Sequence, residues 1–264
     1  MTPPIRSHSH LILVPSYNSG RLLAATVRAI VRFWQPVWVI IDGSTDQSAD
    51  RLTPLLNEFP EALKIIILPQ NVGKGAAILQ GIEQASQQGF THVLTMDADL
   101  QHDPESIYRF MQRSFEHPHA MVLGTPVFDA SAPQIRVQGR KLSNGMAYLE
   151  TLGWGIKDAL FGMRLYPIPA LINVMHGTRW ARRFDFEPEV AVRLAWQGVP
   201  ALNLATPVRY ITQAEGGVSQ FKYLRDNSLL IWMHLRLLTE LIVHLPKLVV
   251  RKFQKNFSQP STSD

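Results

Sequence analysis

The feature that most constrains the fold of this chain is a regular alternation of short apolar runs and amphipathic stretches over its first 125 residues. Continuous apolar strands separated by amphipathic helices are typical of a parallel sheet that is covered by helices on both faces. We therefore predict an α/β fold with a mostly parallel central sheet. The predicted strands are residues 10–14, 37–41, 63–68, 92–96 and 121–124, and the predicted helices are residues 21–34, 46–57, 74–87 and 104–115.

Polar and glycine-rich segments follow four of these strands at the point where each strand ends. Parallel sheets bind ligands outside the carboxyl ends of their strands. The sequence therefore predicts one site at this edge of the sheet. The segments are PSYN at 15–18, DGSTD at 42–46, PQNVGKG at 69–75 and DADLQHD at 97–103.

The last of these segments has the spacing of a metal site. Asp97, Asp99 and Gln101 are two residues apart, so in an extended segment their side chains point to one side. Oxygen ligands that include one or two carboxylates suit Mg²⁺ or Mn²⁺, which also contacts substrate phosphates. The alternative is a solvated acidic loop in which Asp103, followed by Pro104, caps the next helix.

Two other segments suggest nucleotide contacts. NVGKGAA, at 71–77, opens a helix, and main-chain N–H groups at a helix start can hold a phosphate. It lacks the spacing of a Walker A loop and of GxGxxG. Asp42 ends a strand, where its carboxylate could accept hydrogen bonds from a base or a ribose. The alternatives are an ordinary helix start with permissive glycines, and a turn that is followed by a helix cap at Ser44 or Thr45.

Together, VPSYN, IDGSTD, NVGKGAA and MDADLQHDPE resemble in order and spacing the family 2 glycosyltransferases of the GT-A fold. They are most similar to the dolichol- and polyprenyl-phosphate sugar transferases. The resemblance covers roughly residues 10–220, and MDADLQHDP is its most specific part. It implies inverting, metal-dependent transfer of a sugar from a UDP- or GDP-sugar donor to a lipid or polyprenyl-phosphate type acceptor.

The resemblance also implies roles for single residues. The family often has Asp-Asp-Gly-Ser where this chain has Ile41 before Asp42, and this departure leaves the choice between UDP and GDP open. The implied nucleotide-binding residues are Pro15, Tyr17, Asp42, Asn71, Lys74 and Asp97, and the implied ligands of Mg²⁺ or Mn²⁺ are Asp99 and Gln101.

Two acidic residues in the second half are candidates for the catalytic base. Asp158 precedes Gly162-Met163-Arg164, which resembles the family's Asp followed by Gly-Phe-Arg. We expect Asp158 to take the acceptor proton. Glu189 resembles the acidic residue of a family Phe-x-x-Glu segment and is the alternative base. The structural alternatives are that Asp158 pairs with Arg164 or caps a turn, and that Glu189 favours a helix N-terminus.

The C-terminal segment is basic and amphipathic. Of the net charge of +5, most lies in residues 221–264, and residues 226–254 carry apolar side chains at intervals of three and four. We expect one or two helices, divided or kinked at Pro246, that lie on the cytoplasmic face of a membrane. Packing on the body, or a dimer contact, is the alternative. We find no secretory signal and no run of about 20 apolar residues, so we expect a peripheral protein of the cytoplasm.

The expected organisation is a catalytic domain over residues 1–220 and a C-terminal segment over residues 221–264. The catalytic domain divides into a nucleotide-sugar half at about 8–125 and an acceptor half at about 126–220. We expect no nucleic-acid partner, and the sequence leaves the oligomeric state open. Two other functions compete. A nucleotidyltransferase would carry a glycine-rich phosphate signature after the first strand, where this chain has PSYNSG. A non-catalytic, membrane-associated nucleotide-binding protein would bind nucleotide without turnover.

Overall fold

The structure is a computed structural model that describes residues 4–128, 134–209, 211 and 223–257. The predicted boundary at residues 220 and 221 lies outside the described residues. The strands are β1 (Ile5–Arg6), β2 (His10–Ser16), β3 (Trp34–Gln35), β4 (Val37–Asp42), β5 (Leu63–Leu68), β6 (His92–Thr95), β7 (Met121–Val127), β8 (Arg164–Pro167) and β9 (Ala201–Pro207). The helices are α1 (Gly20–Val31), α2 (Thr53–Glu58), α3 (Lys74–Gln87), α4 (Ile107–Glu116), α5 (Gln134–Glu150), α6 (Ile168–His176), α7 (Phe186–Gln197) and α8 (Tyr223–Phe257).

Seven of the strands form one central sheet in the order β5-β4-β2-β6-β8-β7-β9. β8 runs antiparallel to both of its neighbours, and every other pair in this sheet is parallel. The short strands β1 and β3 form a separate parallel pair. The predicted mostly parallel sheet is therefore confirmed, and β8 and β9 extend it beyond the strands that the sequence pattern predicts.

Helices cover both faces of this sheet, as the sequence predicts. On one face, α1, α2 and α4 bury side chains such as Leu23, Leu55 and Phe110 against the strands. On the other face, α3, α6, α7 and α8 form a second core with Ile82 and Leu171 among its members. Burial of apolar side chains on both faces accounts for the continuous apolar strands.

The second predicted helix begins later than expected. A short 3₁₀ turn at Asp50–Leu52 leads into α2, whereas the predicted helix begins at residue 46. Asp46 instead accepts hydrogen bonds from the main-chain N–H groups of Gly20 and Ser48, so it stabilises a turn. By contrast, the predicted cap at Asp103 is confirmed, because its carboxylate accepts a hydrogen bond from the N–H of Glu105.

The C-terminal segment forms one helix. α8 continues through Pro246, so of the expected alternatives, one helix or two, a single helix is confirmed and division at this proline is wrong. The proline removes the donor for the carbonyl of Ile242, and both residues lie on the exposed side, where water can bind that carbonyl.

The residues Leu224–Gln254 of α8 are long and apolar enough to cross a membrane by length and composition alone. The expectation that no segment could do so is therefore wrong. The sequence did not indicate such a helix because charged residues interrupt the apolar run. In the helix, Arg236 and Glu240 face α7, and the opposite side stays apolar.

Candidate active site

The loops after β2 and β4 are fastened to each other at the carboxyl edge of the sheet. The N–H of Asn18 donates to Oγ of Ser44 over 3.0 Å, and the N–H of Thr45 donates to Oδ1 of Asn18 over 2.8 Å. Ser44 therefore binds the loop after β2 and does not cap a helix. Tyr17, at 37% exposure, stands at the edge of this pair of loops, and Pro15 is buried within β2.

Asp42 organises the loop that precedes α3. It is 2% exposed, and its carboxylate accepts hydrogen bonds from the N–H groups of Val72 (2.8 Å) and Gly73 (3.0 Å). The side-chain amide of Asn71 also donates to it over 3.0 Å. Both oxygens of Asp42 are thus engaged with this loop, so Asp42 and Asn71 fix its conformation. Their direct contact with a nucleotide stays a prediction.

The two glycines of NVGKG are required by close packing. A Cβ at Gly75 would lie 2.1 Å from the carbonyl oxygen of Ala181, and one at Gly73 would lie 2.4 Å from that of Arg182. Gly73 also has φ +100°, a conformation that side chains disfavour. The N–H of Ala76 donates to the carbonyl of Arg182. These contacts favour the structural alternative for this motif over a main-chain phosphate cradle.

Lys74 lies between two carboxylates and connects the start of α3 to the start of α7. Its Nζ lies 2.5 Å from Oδ1 of Asp97 and also forms an ion pair with Glu187, which begins α7. Burial alone lowers the pKa of Lys74, but the charges of Asp97 and Glu187 outweigh it and raise that pKa above its usual value. Lys74 is therefore a fixed positive charge beside the predicted metal site.

Asp97 is held from several sides. Its main-chain N–H donates to Nδ1 of His102, whose Nε2 lies 3.6 Å from Oδ2 of Asp97. A Cβ at Gly162 would lie 2.2 Å from that same oxygen, so glycine is needed there for space. Burial raises the pKa of Asp97, but the charges of Lys74 and then His102 lower it by more. The pKa of Asp97 is therefore below its usual value. Asp97 is therefore ionised and confined.

The carboxylate of Asp99 and the amide oxygen of Gln101 are ligand types that suit a divalent cation. Burial and then the charge of Asp97 raise the pKa of Asp99, so this carboxylate would be stabilised by a cation. Within the described ranges no Lys or Arg forms an ion pair with Asp99. The described residues contain no group of three or more His, Asp or Glu side chains that could hold a metal ion. Mg²⁺ and Mn²⁺ bind one or two carboxylates together with substrate phosphates, so one carboxylate and one amide oxygen are a chemically suitable set.

Asp158 is 3% exposed and stands in the turn before β8. Its Oδ1 accepts a charged hydrogen bond from Arg140 of α5 (2.6 Å) and bonds from the N–H groups of Leu160 (3.0 Å) and Phe161 (2.8 Å). Asn144, also on α5, donates to Oδ2 over 3.4 Å. Asp158 therefore caps a turn, as its structural alternative stated, but its ion-pair partner is Arg140 and not Arg164.

Arg164 instead cross-links the main chain around the site. It is fully buried, and its guanidinium donates to the carbonyl oxygens of Phe161 (2.7 Å), Asp158 (3.0 Å) and Glu187 (2.6 Å). Charged hydrogen bonds of this kind are about twice as strong as neutral ones. Arg164 thereby fixes the backbone of Asp158 relative to that of Glu187.

Glu189 lies in a different environment. It is fully buried, and its carboxylate binds Arg193 one turn along α7 (2.8 Å) and Arg236 of α8 (2.5 Å). Both carboxylate oxygens of Glu189 therefore accept charged hydrogen bonds from arginines. The contacts describe an anchor between α7 and α8, and a role for Glu189 as a base stays a prediction that these contacts do not favour.

A model of Glycosyl transferase family 2 matches residues 11–175, which is more than half of the chain. The chain belongs to this family. The matched region contains the strand-end loops, Lys74, the Asp97–Gln101 segment and Asp158, and it ends before α7. The family resemblance expected from the sequence is therefore confirmed.

Curated relatives of this family 2 chain include undecaprenyl-phosphate 4-deoxy-4-formamido-L-arabinose transferases. The protein from Serratia proteamaculans is 36% identical over 115 residues, which cover 41% of this chain and 34% of the relative. That from Salmonella choleraesuis is 27% identical over 229 residues, which cover 84% of this chain and 64% of the relative. The chain thus spans from about a third to just under two thirds of the length of these relatives.

Solved structures support the GT-A fold of this family 2 chain. Glucosyl-3-phosphoglycerate synthase from Mycobacterium tuberculosis, in complex with UDP, is similar with a TM-score of 0.59 at 15% identity, over 90% of this chain and 80% of that one. The same enzyme in complex with Mn²⁺, UDP and glucosyl-3-phosphoglycerate is similar with a TM-score of 0.55 at 16% identity, over 79% and 75% of the two chains. At this identity the likeness concerns the fold.

Several residues of this family 2 site were not indicated by the sequence. Glu187 is not among the predicted site residues, yet it binds Lys74, which is distant in the sequence. His102 belongs to the DADLQHD run, so its place beside Asp97 had a local signal that the metal spacing obscured. Gly162 was noted only as part of the Gly-Met-Arg motif, and Arg140 was not a predicted site residue, because their contacts to Asp97 and Asp158 exist only in the folded chain.

Proposed function

We propose that this protein is an inverting glycosyltransferase that transfers a sugar from a nucleotide-diphosphate sugar to a polyprenyl-phosphate type lipid at a membrane surface. The observation that carries the proposal is the arrangement at the carboxyl edge of the sheet. There, Asp99 has a raised pKa and no cationic partner among the described residues, beside the fixed ion pair of Lys74 and Asp97. The family match and the names of the curated relatives support the lipid acceptor.

We assign each residue a role according to its position. Pro15 and Tyr17 border the nucleoside pocket, and Asp42 with Asn71 holds the loop that closes it. Lys74 keeps Asp97 ionised and oriented toward the donor. In the proposed acceptor half, Arg164 fixes the turn that carries Asp158.

A bound Mg²⁺ or Mn²⁺ would be held by Asp99 and Gln101 and would stabilise the negative charge that develops on the departing nucleoside diphosphate. Asp158 is the proposed base for a hydroxyl acceptor, through Oδ2, because the three short hydrogen bonds go to Oδ1 and Asn144 donates to Oδ2 only over 3.4 Å. With a lipid phosphate as acceptor, the attacking oxygen is already ionised, and the pair of Asp158 and Arg140 orients it. Arg140 then provides the positive charge that faces the phosphate.

The proposed membrane contact is the outer side of α8. The side chains of Leu224, Ile242 and Val243 are 83%, 71% and 79% exposed, which is unusual for large apolar residues of a water-facing helix. The acidic residues of α8 do not oppose an anionic bilayer, because Asp226 is buried and Glu240 is paired with Arg193 and Arg236. The apolar residues exposed on α8 are Leu224, Ile231, Trp232, Leu235, Ile242, Val243, Leu245, Val250 and Phe253.

The inner side of α8 favours a helix that lies along the body and does not cross the bilayer. Arg236 binds Glu189, and the guanidinium of Arg251 donates to the carbonyls of Trp196 (2.9 Å) and Gln197 (3.0 Å) at the end of α7. Exposed basic side chains at Lys247 and Lys252 suit anionic head groups. We therefore propose a peripheral protein at the cytoplasmic membrane face.

The first test is calorimetry with UDP, GDP, CDP and dTDP, each with and without Mn²⁺. We expect one nucleotide to bind only in the presence of Mn²⁺, and Asp99→Asn to abolish the metal-dependent part while the protein stays folded. Binding that is equal with and without metal would overturn the metal assignment.

The second test is transfer from the matching labelled nucleotide-sugar to undecaprenyl phosphate in vesicles. We expect a labelled lipid and a released nucleoside diphosphate. In a parallel reaction with a nucleoside triphosphate and a sugar 1-phosphate, release of pyrophosphate would indicate a nucleotidyltransferase. Nucleotide binding without turnover in either reaction would indicate the non-catalytic alternative.

A further inference from the structure

A buried chain of polar side chains connects α5 to α8. Oγ of Ser143 lies 2.9 Å from Nε2 of His234, and Nδ1 of His234 lies 2.7 Å from Oε1 of Glu150. Ser143 is 5%, His234 6% and Glu150 0% exposed. Among the described residues, Oε2 of Glu150 has no hydrogen-bond partner. The carboxylate of Glu150 is therefore bound through Oε1, by His234.

The order of these groups is that of a Ser-His-acid hydrolase triad, but their burial excludes that chemistry. In such enzymes the serine meets an acyl substrate in an open cleft beside donors for the developing oxyanion. Ser143 faces the interface of two packed helices. The connection must therefore act within the protein.

The other contacts of α5 show what the connection can control. Arg140 and Asn144, one turn apart, bind the carboxylate of Asp158, and Oδ1 of Asn144 also accepts a hydrogen bond from the N–H of Ala159 over 2.8 Å. Ser143 lies three residues after Arg140 and next to Asn144 in the sequence. Residues at this spacing lie on adjoining sides of one helical turn. The same turn of α5 thus contacts His234 on one side and Asp158 on the other.

We propose that His234 is a positioning residue for the transfer reaction, an inference that rests on the function proposed above. It fixes the rotation of α5 about its axis and its position along that axis, through Ser143 and Glu150. In turn, α5 fixes Asp158 through Arg140 and Asn144. Apolar contacts between the helices are non-directional and leave these two degrees of freedom loosely defined. Hydrogen bonds are directional, so the connection to His234 defines them.

The orientation of the catalytic carboxylate affects the rate steeply, because a shift of about 1 Å can cost about a hundredfold in rate. The amides of Leu160 and Phe161 report this orientation directly, since both donate to Oδ1 of Asp158. A looser Asp158 leaves them less protected from exchange with solvent.

The test compares three variants of the full chain. His234→Phe keeps a ring of similar size and removes both hydrogen bonds, whereas His234→Gln keeps a donor and an acceptor. Leu237→Ala is the matched control, because Leu237 is a fully buried residue one turn further on the same helix and its truncation destabilises α8 by a cavity. Melting temperature, hydrogen–deuterium exchange of residues 158–164, nucleotide Kd with Mn²⁺, and transfer kinetics are measured for each.

We expect His234→Phe to raise exchange at Leu160 and Phe161 and to lower kcat by about tenfold or more, with the nucleotide Kd unchanged. His234→Gln should recover most of both effects. Leu237→Ala should lower the melting temperature without raising exchange at these amides. If His234→Phe does not fold, Ser143→Ala removes one of the two bonds and should give smaller changes in the same direction.

Equal exchange in His234→Phe and wild type, or equal changes in His234→Phe and Leu237→Ala, would overturn the proposal. Failure of the proposed function looks different. In that case the wild-type protein transfers no sugar, while the exchange experiment still measures whether His234 controls the order of Asp158.

Discussion

The ion-pair cluster of Lys74 gives a prediction that does not depend on knowing the substrate. Lys74→Met removes the cation from between Asp97 and Glu187, whose side chains are 31% and 6% exposed, while Lys74 itself is 18% exposed. Breaking a buried ion pair by removing one partner costs about 3–5 kcal/mol. Because Asp97 can partly rehydrate, we expect a loss of about 2–4 kcal/mol in the free energy of unfolding at pH 8.

The pH dependence of this loss follows from the pKa shifts. In the wild type, the lowered pKa of Asp97 contributes stability above its unfolded pKa, and this stability is lost as the pH falls through the folded value. The raised pKa of Lys74 contributes stability that is complete at neutral pH. In the variant, Asp97 no longer has the cation of Lys74 beside it, so burial raises its pKa and it takes up a proton more readily. The difference between variant and wild type should therefore shrink between about pH 7 and pH 4.5.

Urea unfolding at pH 8, 6 and 4.5, without nucleotide or metal, measures this difference. Lys64→Met is the control, because Lys64 stacks on Trp38 and forms no ion pair among the described residues. It should cost less than about 1 kcal/mol at every pH. Adding Glu187→Gln to Lys74→Met should restore part of the lost stability. A loss that is the same at all three pH values would refute the reasoning.

Three further predictions test other parts of the structure. Gly162→Ala places a Cβ 2.2 Å from Oδ2 of Asp97 and should lower transfer activity by about tenfold or more in a labelled-sugar assay; unchanged activity would contradict the packing argument. Arg236→Met should cost about 2–4 kcal/mol in urea unfolding because it leaves Glu189 underpaired; a loss below about 1 kcal/mol would show that Arg193 suffices. Ile242→Glu should reduce flotation with phosphatidylglycerol vesicles at an unchanged melting temperature; equal flotation would place the membrane contact elsewhere.

The sequence predicts those elements whose signals are local. The strand at residues 63–68 and the helix at residues 74–87 have the predicted bounds, because apolar runs and a glycine-marked start define them. The helix predicted from residue 46 was displaced since Asp46 stabilises a turn with Gly20. β8 has a short pattern of its own, and its antiparallel place between β6 and β7 is set by tertiary pairing.

The candidate site was predicted in composition more than in geometry. The edge of the sheet and the run from Asp97 to Gln101 follow from the order of strands and motifs. The orientation of Asp42 toward its neighbouring loop, and of Glu189 toward α8, depends on partners far along the chain. No periodicity encodes such pairings. A sequence pattern therefore identifies the acidic residues without showing which of them are hydrogen-bonded to other parts of the chain.

The close fit of Gly73 and Gly75 against the carbonyls of residues 181 and 182 has a consequence for protein engineering. A chimera that exchanges the acceptor half near residue 125 to obtain a new lipid specificity would bring in a foreign segment opposite these glycines and opposite Lys74. Such exchanges should succeed only when the segment from Ala181 to Glu187 is kept with the native loop before α3, or when both are transplanted together. The proposed boundary between donor and acceptor recognition is therefore a surface inside the fold, and a cut at one point of the sequence does not separate the two.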